Sequence, residues 1–250
     1  MTEPYVKEDI QNGISTIEFF HPAHNSLPGD LLAKLAATIK GAGENDEVMV
    51  IVLKSGGDRT FCAGASFKEL ININDADSGR VFFSGFANVI NAMRKCPKFI
   101  IGRIQGKTVG GGVGVASATD YCMATKYASI KLSELNVGIG PFVVGPAVER
   151  KLGLSGMSQI AIDANSFYDA AWARQKGLFA QVYDSTEELD EAVAAFAGQL
   201  CGYNPEAMKE MKKVFWKGTE DWDELLAERA AISGRLVLSE FTKETLKRFK

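Results

Sequence analysis

The apolar positions of this chain change period several times, and each change marks an element. Val6 to Ile10 and Ile14 to Phe20 are strand-like runs on either side of Asn12-Gly13. That dipeptide tolerates positive φ at both centres of a type I′ turn, so a β-hairpin is predicted. Pro22 ends the second strand, and residues 21–28 read as a loop. Leu31, Leu32, Leu35, Ala36 and Ile39 recur at helical spacing, with Gly41 and Gly43 as stop signals. Val48 to Leu53 is unbroken apolar sequence, the pattern of a strand buried on both faces. Residues 55–60 are polar and glycine-containing, hence a loop. Residues 72–79 are polar and are expected to form a mobile segment, either a lid that orders on ligand binding or a variable surface loop. Phe82, Phe86, Val89 and Met93 define a helical face that Phe83 and Ile90 widen. Pro97 closes that helix, and Phe99 to Ile104 is the next strand.

Beyond it, Tyr121 to Ala124 and Ala128 to Lys131 read as short strands. Residues 132–146 form a loop rich in glycine and proline. Helical patterns follow at 147–152, 157–164 and 170–176, and Phe179 to Tyr183 is a last strand. Ser185 and Glu188 make a capping-box pattern before Leu189, Val193, Phe196 and Leu200 at helical spacing. Residues 205–216 and 222–238 are helical. Strand–helix alternation followed by helices predicts an α/β core over residues 1–183 and a helical region over 184–250.

Composition narrows the function classes. A hydrophobic fraction of 46% and a charged fraction of 24% are those of an ordinary globular protein. The net charge of -3 gives no electrostatic case for nucleic acid or an anionic membrane. No apolar run reaches the roughly 20 residues needed to span a bilayer. Met1 to Asp9 is polar without a signal-peptide core, so a cytoplasmic location is expected. The four cysteines (Cys62, Cys96, Cys122, Cys201) lack metal-like spacing and are expected as reduced, buried thiols. His21 and His24 are the only histidines, too few for a His-based metal site. No metal is expected.

Candidate chemistry lies in a glycine run, Gly106-Lys107-Thr108-Val109-Gly110-Gly111-Gly112-Val113-Gly114. Glycines let another group approach the backbone closely. A helix starting there would present unpaired N–H groups to an oxygen acquiring negative charge. The run lacks the Gly-Lys-Ser/Thr ending of a P-loop and is a poor dinucleotide fingerprint. Taken alone, it equally suits a tight strand-to-helix turn.

A second stretch, Phe61-Cys62-Ala63-Gly64-Ala65-Ser66-Phe67-Lys68-Glu69-Leu70, follows the earlier buried strand. With the Pro97–Gly112 segment, Asp120, Glu134 followed by Gly138 and Pro141, and the Ala170–Tyr183 segment, it resembles the crotonase (enoyl-CoA hydratase/isomerase) superfamily. The resemblance covers roughly residues 13–183 and rests on the order and spacing of these motifs. It implies a spiral of ββα units with a helical C-terminal region that assembles trimers, commonly paired into hexamers. It also implies stabilisation of a thioester enolate by two backbone N–H groups, those of Ala65 and Gly111 by motif position. The substrate is then an acyl-CoA thioester, with coenzyme A arriving as part of it and no permanently bound cofactor.

Family hydratases use two glutamates. Here the first position is Gly114, which cannot transfer a proton, and the second is Glu134. A carboxylate in an apolar pocket has its pKa raised toward the range useful for acid–base work. Hydration needs a positioned water and two proton transfers, whereas moving a double bond from the 3 to the 2 position needs one carboxylate. The resemblance therefore implies an isomerase, with Glu134 as single proton shuttle. A hydratase or other lyase, including a decarboxylase, is the first alternative. A non-catalytic CoA- or RNA-binding member is the second.

By motif position, CoA contacts are expected from His24, Ser26 and Leu27, and from Ala63, Ser66, Phe67 and Lys68. Gly110 and Gly114 flank the donor at Gly111. Val137, Pro141 and Phe142 are expected at the acyl pocket, with Phe83 and Phe86 as core or pocket wall. Glu69 and Ser133 lie close in sequence to the site segments. Lys243, Lys247, Arg248 and Lys250 suit either a solvated face or a neighbouring subunit's CoA phosphates.

Overall fold

The computed structural model describes residues 3–247. Strands β1 (Tyr5–Gln11) and β2 (Ile14–Phe20) form the predicted hairpin. Its turn has Asn12 at φ 52° and Gly13 at φ 81°, the left-handed pair a type I′ turn requires. β4 (Val50–Ser55), β7 (Phe99–Ile104), β9 (Tyr121–Thr125) and β12 (Gln181–Tyr183) extend this hairpin into a six-stranded sheet, order β1-β2-β4-β7-β9-β12. All pairs beyond the hairpin are parallel. The continuous apolar runs of β4 and β7 fit strands covered on both faces.

After each of β2, β4, β7 and β9 the chain makes a second, shorter strand before its helix. β3 (Ser26–Leu27) precedes α1 (Gly29–Glu44). β5 (Thr60–Cys62) and β6 (Gly64–Ala65) precede α2 (Phe67–Leu70) and α3 (Ala76–Lys95). β8 (Lys107–Val109) precedes α4 (Gly111–Ala118), and β10 (Ser129–Lys131) precedes α5 (Gly145–Ile162). These short strands, with β11 (Tyr168–Asp169), form two smaller sheets, β11-β10-β8-β5 and β3-β6. Repetition of this ββα unit is the predicted spiral.

The main core lies between the large sheet and helices α1, α3, α4 and α5. On the sheet's other face, Val50, Val52, Ile101 and Met123 pack against Leu189, Val193, Ala197 and Leu200 of α7 (Thr186–Cys201). Arg103 grips Asp190 of α7 through two hydrogen bonds of 2.7 and 2.9 Å. α8 (Pro205–Phe215), α9 (Trp222–Leu236) and α10 (Glu240–Lys247) complete the chain. Trp222, Leu226 and Ala230 of α9 join the main core beside α3. Lys212 of α8 forms a buried 2.8 Å ion pair with Asp120, whose other oxygen accepts from Trp216 Nε1.

Four local expectations are corrected. α1 runs through Gly41 and Gly43 to Glu44, and Gly43 is needed for packing: a Cβ there would lie 3.0 Å from Cys96 Sγ. The segment 72–79 is not a loop throughout. Asp75 and Ser78 form a capping box that starts α3, and Gly79 packs against Gly234 of α9, where a Cβ would approach Gly234 Cα to 2.8 Å. The helical patterns at 147–152 and 157–164 belong to one element broken at Gly153, whose φ is 68°. Cys201 is only half-buried, unlike the other three thiols. Arg248 and Lys250, like Met1, lie outside the described residues.

Candidate active site

Two backbone turns meet at the head of the cavity. In the small sheet, Ser66 N–H donates to Leu27 O at 3.0 Å, and Ser26 Oγ donates to Ala65 O at 2.9 Å. Successive N–H groups of a strand point to opposite edges, so Ala65 N–H faces the edge of β6 that has no partner strand among the described residues. Ahead of α4, Gly110 adopts φ 53°, and Gly111 begins the helix. As the first helical residue, Gly111 has no intrahelical acceptor for its N–H. The two turns touch: a Cβ on Gly64 would lie 3.2 Å from Val109 O and 3.8 Å from Gly111 N.

Each glycine of the run faces a different neighbour. A Cβ on Gly110 would meet Glu134 Oε1 at 3.1 Å, and one on Gly111 would enter the Phe86 ring. A Cβ on Gly112 would meet Cys62 Cβ at 2.7 Å. At Gly114 it would meet Val144 Cγ1 at 2.5 Å and Ile90 Cδ1 at 3.2 Å. A side chain at residue 114 would thus collide with Val144.

Glu134 opens a 3-10 turn, Glu134–Val137, that ends at Gly138 with φ 79°. Gly138 N–H and Ile139 N–H fold back onto Leu135 O and Glu134 O, both at 3.1 Å. The Glu134 Oε2 is withdrawn from solvent and accepts no hydrogen bond. Burial pushes this carboxyl up to about 7, outweighing the backbone amides of Glu134 and Ser133. Its surroundings are a cavity of about 350 Å³ walled chiefly by Phe82, Phe83 and Phe86 of α3, Leu70, Val137, Ile139 and Phe142. Among the described residues, Glu134 is the only titratable side chain on its lining. A largely apolar cavity with the Ala65 and Gly111 turns at one end and a single buried carboxyl is chemically able to hold a carbonyl oxygen and move a proton beside it.

The cavity brings together Ser26, Ala63, Ala65, Phe67, Gly110, Gly111, Glu134, Val137, Pro141 and Phe142. It does not include His24, Leu27, Ser66, Lys68 or Gly114. His24 is exposed at φ 54°, and Lys68 is exposed on α2. Leu27 is core, and Ser66 caps α2 by accepting from Glu69 N–H at 3.3 Å. Gly114 is buried beneath Val144. Glu69 is occupied elsewhere, accepting from Gly29 N–H at 3.0 Å at the start of α1. Ser133 lines the cavity, while Lys243 and Lys247 pair with Glu240 and Glu244 along α10. Among the described residues no His/Cys/Asp/Glu group could hold a metal, and no helix is long and apolar enough to cross a membrane.

Sequence reasoning missed Val144 and Ser233, and placed Asn25 only within the loop segment expected near CoA, without a role of its own. Asn25 is buried, donates to Gly56 O at 2.8 Å and Thr60 O at 2.9 Å, and so ties the turn before β3 to β5. An asparagine inside the predicted loop 21–28 was its only signal. Ser233 reaches the cavity from α9 and has no local signal at all.

The family model for enoyl-CoA hydratase/isomerase matches residues 9–249. The chain belongs to the enoyl-CoA hydratase/isomerase family. Its members act on acyl-CoA thioesters. Among family relatives, the peroxisomal Delta(3,5)-Delta(2,4)-dienoyl-CoA isomerase of Arabidopsis thaliana is 26% identical over 86% of this chain and 81% of its own. The short-chain-enoyl-CoA hydratase of Clostridium acetobutylicum is 28% identical over 91% and 87%. The enoyl-CoA hydratase structure from Bacillus halodurans superposes with TM-score 0.88 over 98% of this chain and 99% of that one, at 20% identity. The fold is therefore the crotonase fold, an α/β spiral with a helical C-terminal region.

Proposed function

We propose that this family member is a single-carboxylate acyl-CoA isomerase that converts 3-enoyl-CoA to 2-enoyl-CoA. The observation that carries the reading is that Glu134 alone titrates on the cavity lining, with Val144 seated where a second acid would stand. The thioester carbonyl oxygen sits between Ala65 N–H and Gly111 N–H. Glu134, as carboxylate, takes a proton from C2, and the electron pair moves into a dienolate whose oxygen the two N–H groups stabilise. Glu134, now protonated, donates a proton to C4, which leaves the double bond at C2–C3. One such donor is typically worth roughly 10²–10³ in rate. Hydration would require a second group to share the proton work, and the lining offers none.

The test is the formation of conjugated thioester from a 3-enoyl-CoA, followed at its ultraviolet absorbance. Only the carboxylate form is the base, so kcat/KM should rise tenfold per pH unit below about 7 and level above it. Glu134→Gln should abolish turnover. Faster water addition to crotonyl-CoA than isomerisation, or turnover unchanged in Glu134→Gln, would sink the reading.

A further inference from the structure

α10 has no place on the cavity lining, yet it packs on the turn that carries Glu134. The contact centres on Gly138, the left-handed residue that ends the turn. A Cβ there would lie 2.6 Å from Phe241 Cδ1 and would collide with Thr242 Oγ1. Thr242 is fully buried, and its orientation is set by Ser239: Ser239 Oγ lies 3.1 Å from Thr242 Oγ1 and accepts from Thr242 N–H at 3.3 Å. Phe241, by contrast, is 66% exposed despite touching Gly138. An exposed ring held against a glycine contributes little to a core, so its contact is with the turn.

We propose that Phe241 and Thr242 are positioning residues, which clamp the Gly138 corner within the same chain and thereby hold the Glu134 carboxyl at its working place. The path is short. Gly138 and Ile139 close the turn by hydrogen bonds onto Leu135 O and Glu134 O, so a shift of the corner rotates the backbone that bears the carboxyl. Proton transfer is steep in distance, and misplacement by about 1 Å from outside the chemistry can cost roughly 100-fold. This inference rests on Glu134 being the proton carrier of the proposed function.

The test is exchange of the C2 protons of butyryl-CoA in deuterium oxide, read by mass spectrometry. Glu134 removes a proton, exchanges it with solvent and returns a deuteron, whatever the final reaction of the natural substrate. Phe241→Ala and Thr242→Ala should slow exchange roughly 10- to 100-fold, with the Kd for butyryl-CoA within about twofold of the unsubstituted protein, and Thr242→Ser should recover most of the rate. Exchange at the original rate in both alanine variants overturns the inference. So does a joint loss of exchange, affinity and melting temperature, which marks α10 as merely structural. If the unsubstituted protein exchanges but does not isomerise, the isomerase reading falls and the clamp stands. No exchange together with no isomerisation of a 3-enoyl-CoA overturns both; isomerisation without exchange moves the same alanine comparison to the isomerisation rate.

Discussion

Glu134→Gln should remove activity and yet stabilise the folded protein, by an amount that depends on pH. The carboxyl titrates near 4.5 when solvated, and burial in the cavity pushes it up to about 7. Because the folded value is raised, the folded state holds the proton more tightly than the unfolded chain. Between pH 4.5 and 7 the folded state therefore carries the extra proton, and stability falls as pH rises through that window. At about 1.4 kcal/mol per pH unit, the displacement costs about 3 kcal/mol once pH exceeds 7. Below 4.5 both states are protonated and the cost vanishes.

Glutamine keeps the shape and cannot ionise, so any cost of its own buried amide is the same at every pH. The pH dependence of the difference isolates the carboxylate. Thermal unfolding of both proteins, followed by circular dichroism, should show the variant gaining about 2–3 kcal/mol on the parent between about pH 5 and about pH 8.5. For a chain of this size that is roughly a 5–10 °C widening of the gap in Tm. A gap that does not change with pH, or one that narrows toward alkaline pH, refutes the burial argument. Such a result would mean that water or a cation compensates the carboxylate in the folded state.

Three further outcomes follow from the packing. Gly114→Glu alone should lower Tm, since overpacking against Val144 and Ile90 costs about 1–3 kcal/mol before any charge is buried; combining it with Val144→Ala should recover most of that loss, and a single variant as stable as the parent would show that the slot is open. Lys212→Met should destabilise by about 3–5 kcal/mol in urea titration, because Asp120 is left charged and buried, while kcat per folded molecule stays at the parent value. Phe142→Ala removes a ring from the cavity wall, so kcat/KM for a longer or branched acyl chain should rise at least roughly tenfold relative to a short one; an unchanged ratio would place the acyl group elsewhere.

Much of the fold was legible because its long elements carry strong periods. Asn12-Gly13 specifies its own turn, and the run from Phe99 to Ile104 is β7 to the residue. β3, β6 and β11 were not legible, since a two-residue strand exists only through its tertiary partner. The polar stretch before α3 reads as a loop until Asp75 and Ser78 cap each other and Gly79 meets Gly234, contacts that no local window contains. The site divides the same way. Ala65, Gly111 and Glu134 lie in motifs whose residue types and order suggest their chemistry. Val144 and Ser233 are ordinary residues of helices or turns, and only the folded chain brings them to α4 and the cavity.

The glycine run shows why a missing side chain is ambiguous in sequence and informative in structure. Gly114 read alone is a lost acid, which leaves open whether water or another group fills its place. Val144 bears on that, since its Cγ1 stands where a side chain at residue 114 would begin. The same filling bears on Glu134. A carboxylate at 114 would have raised the Glu134 pKa by like-charge repulsion, and water in an empty slot would have lowered it. With an apolar group there instead, burial is the leading cause of the shift. The apolar packing that closes off residue 114 thus also bounds the cavity in which burial raises the Glu134 pKa.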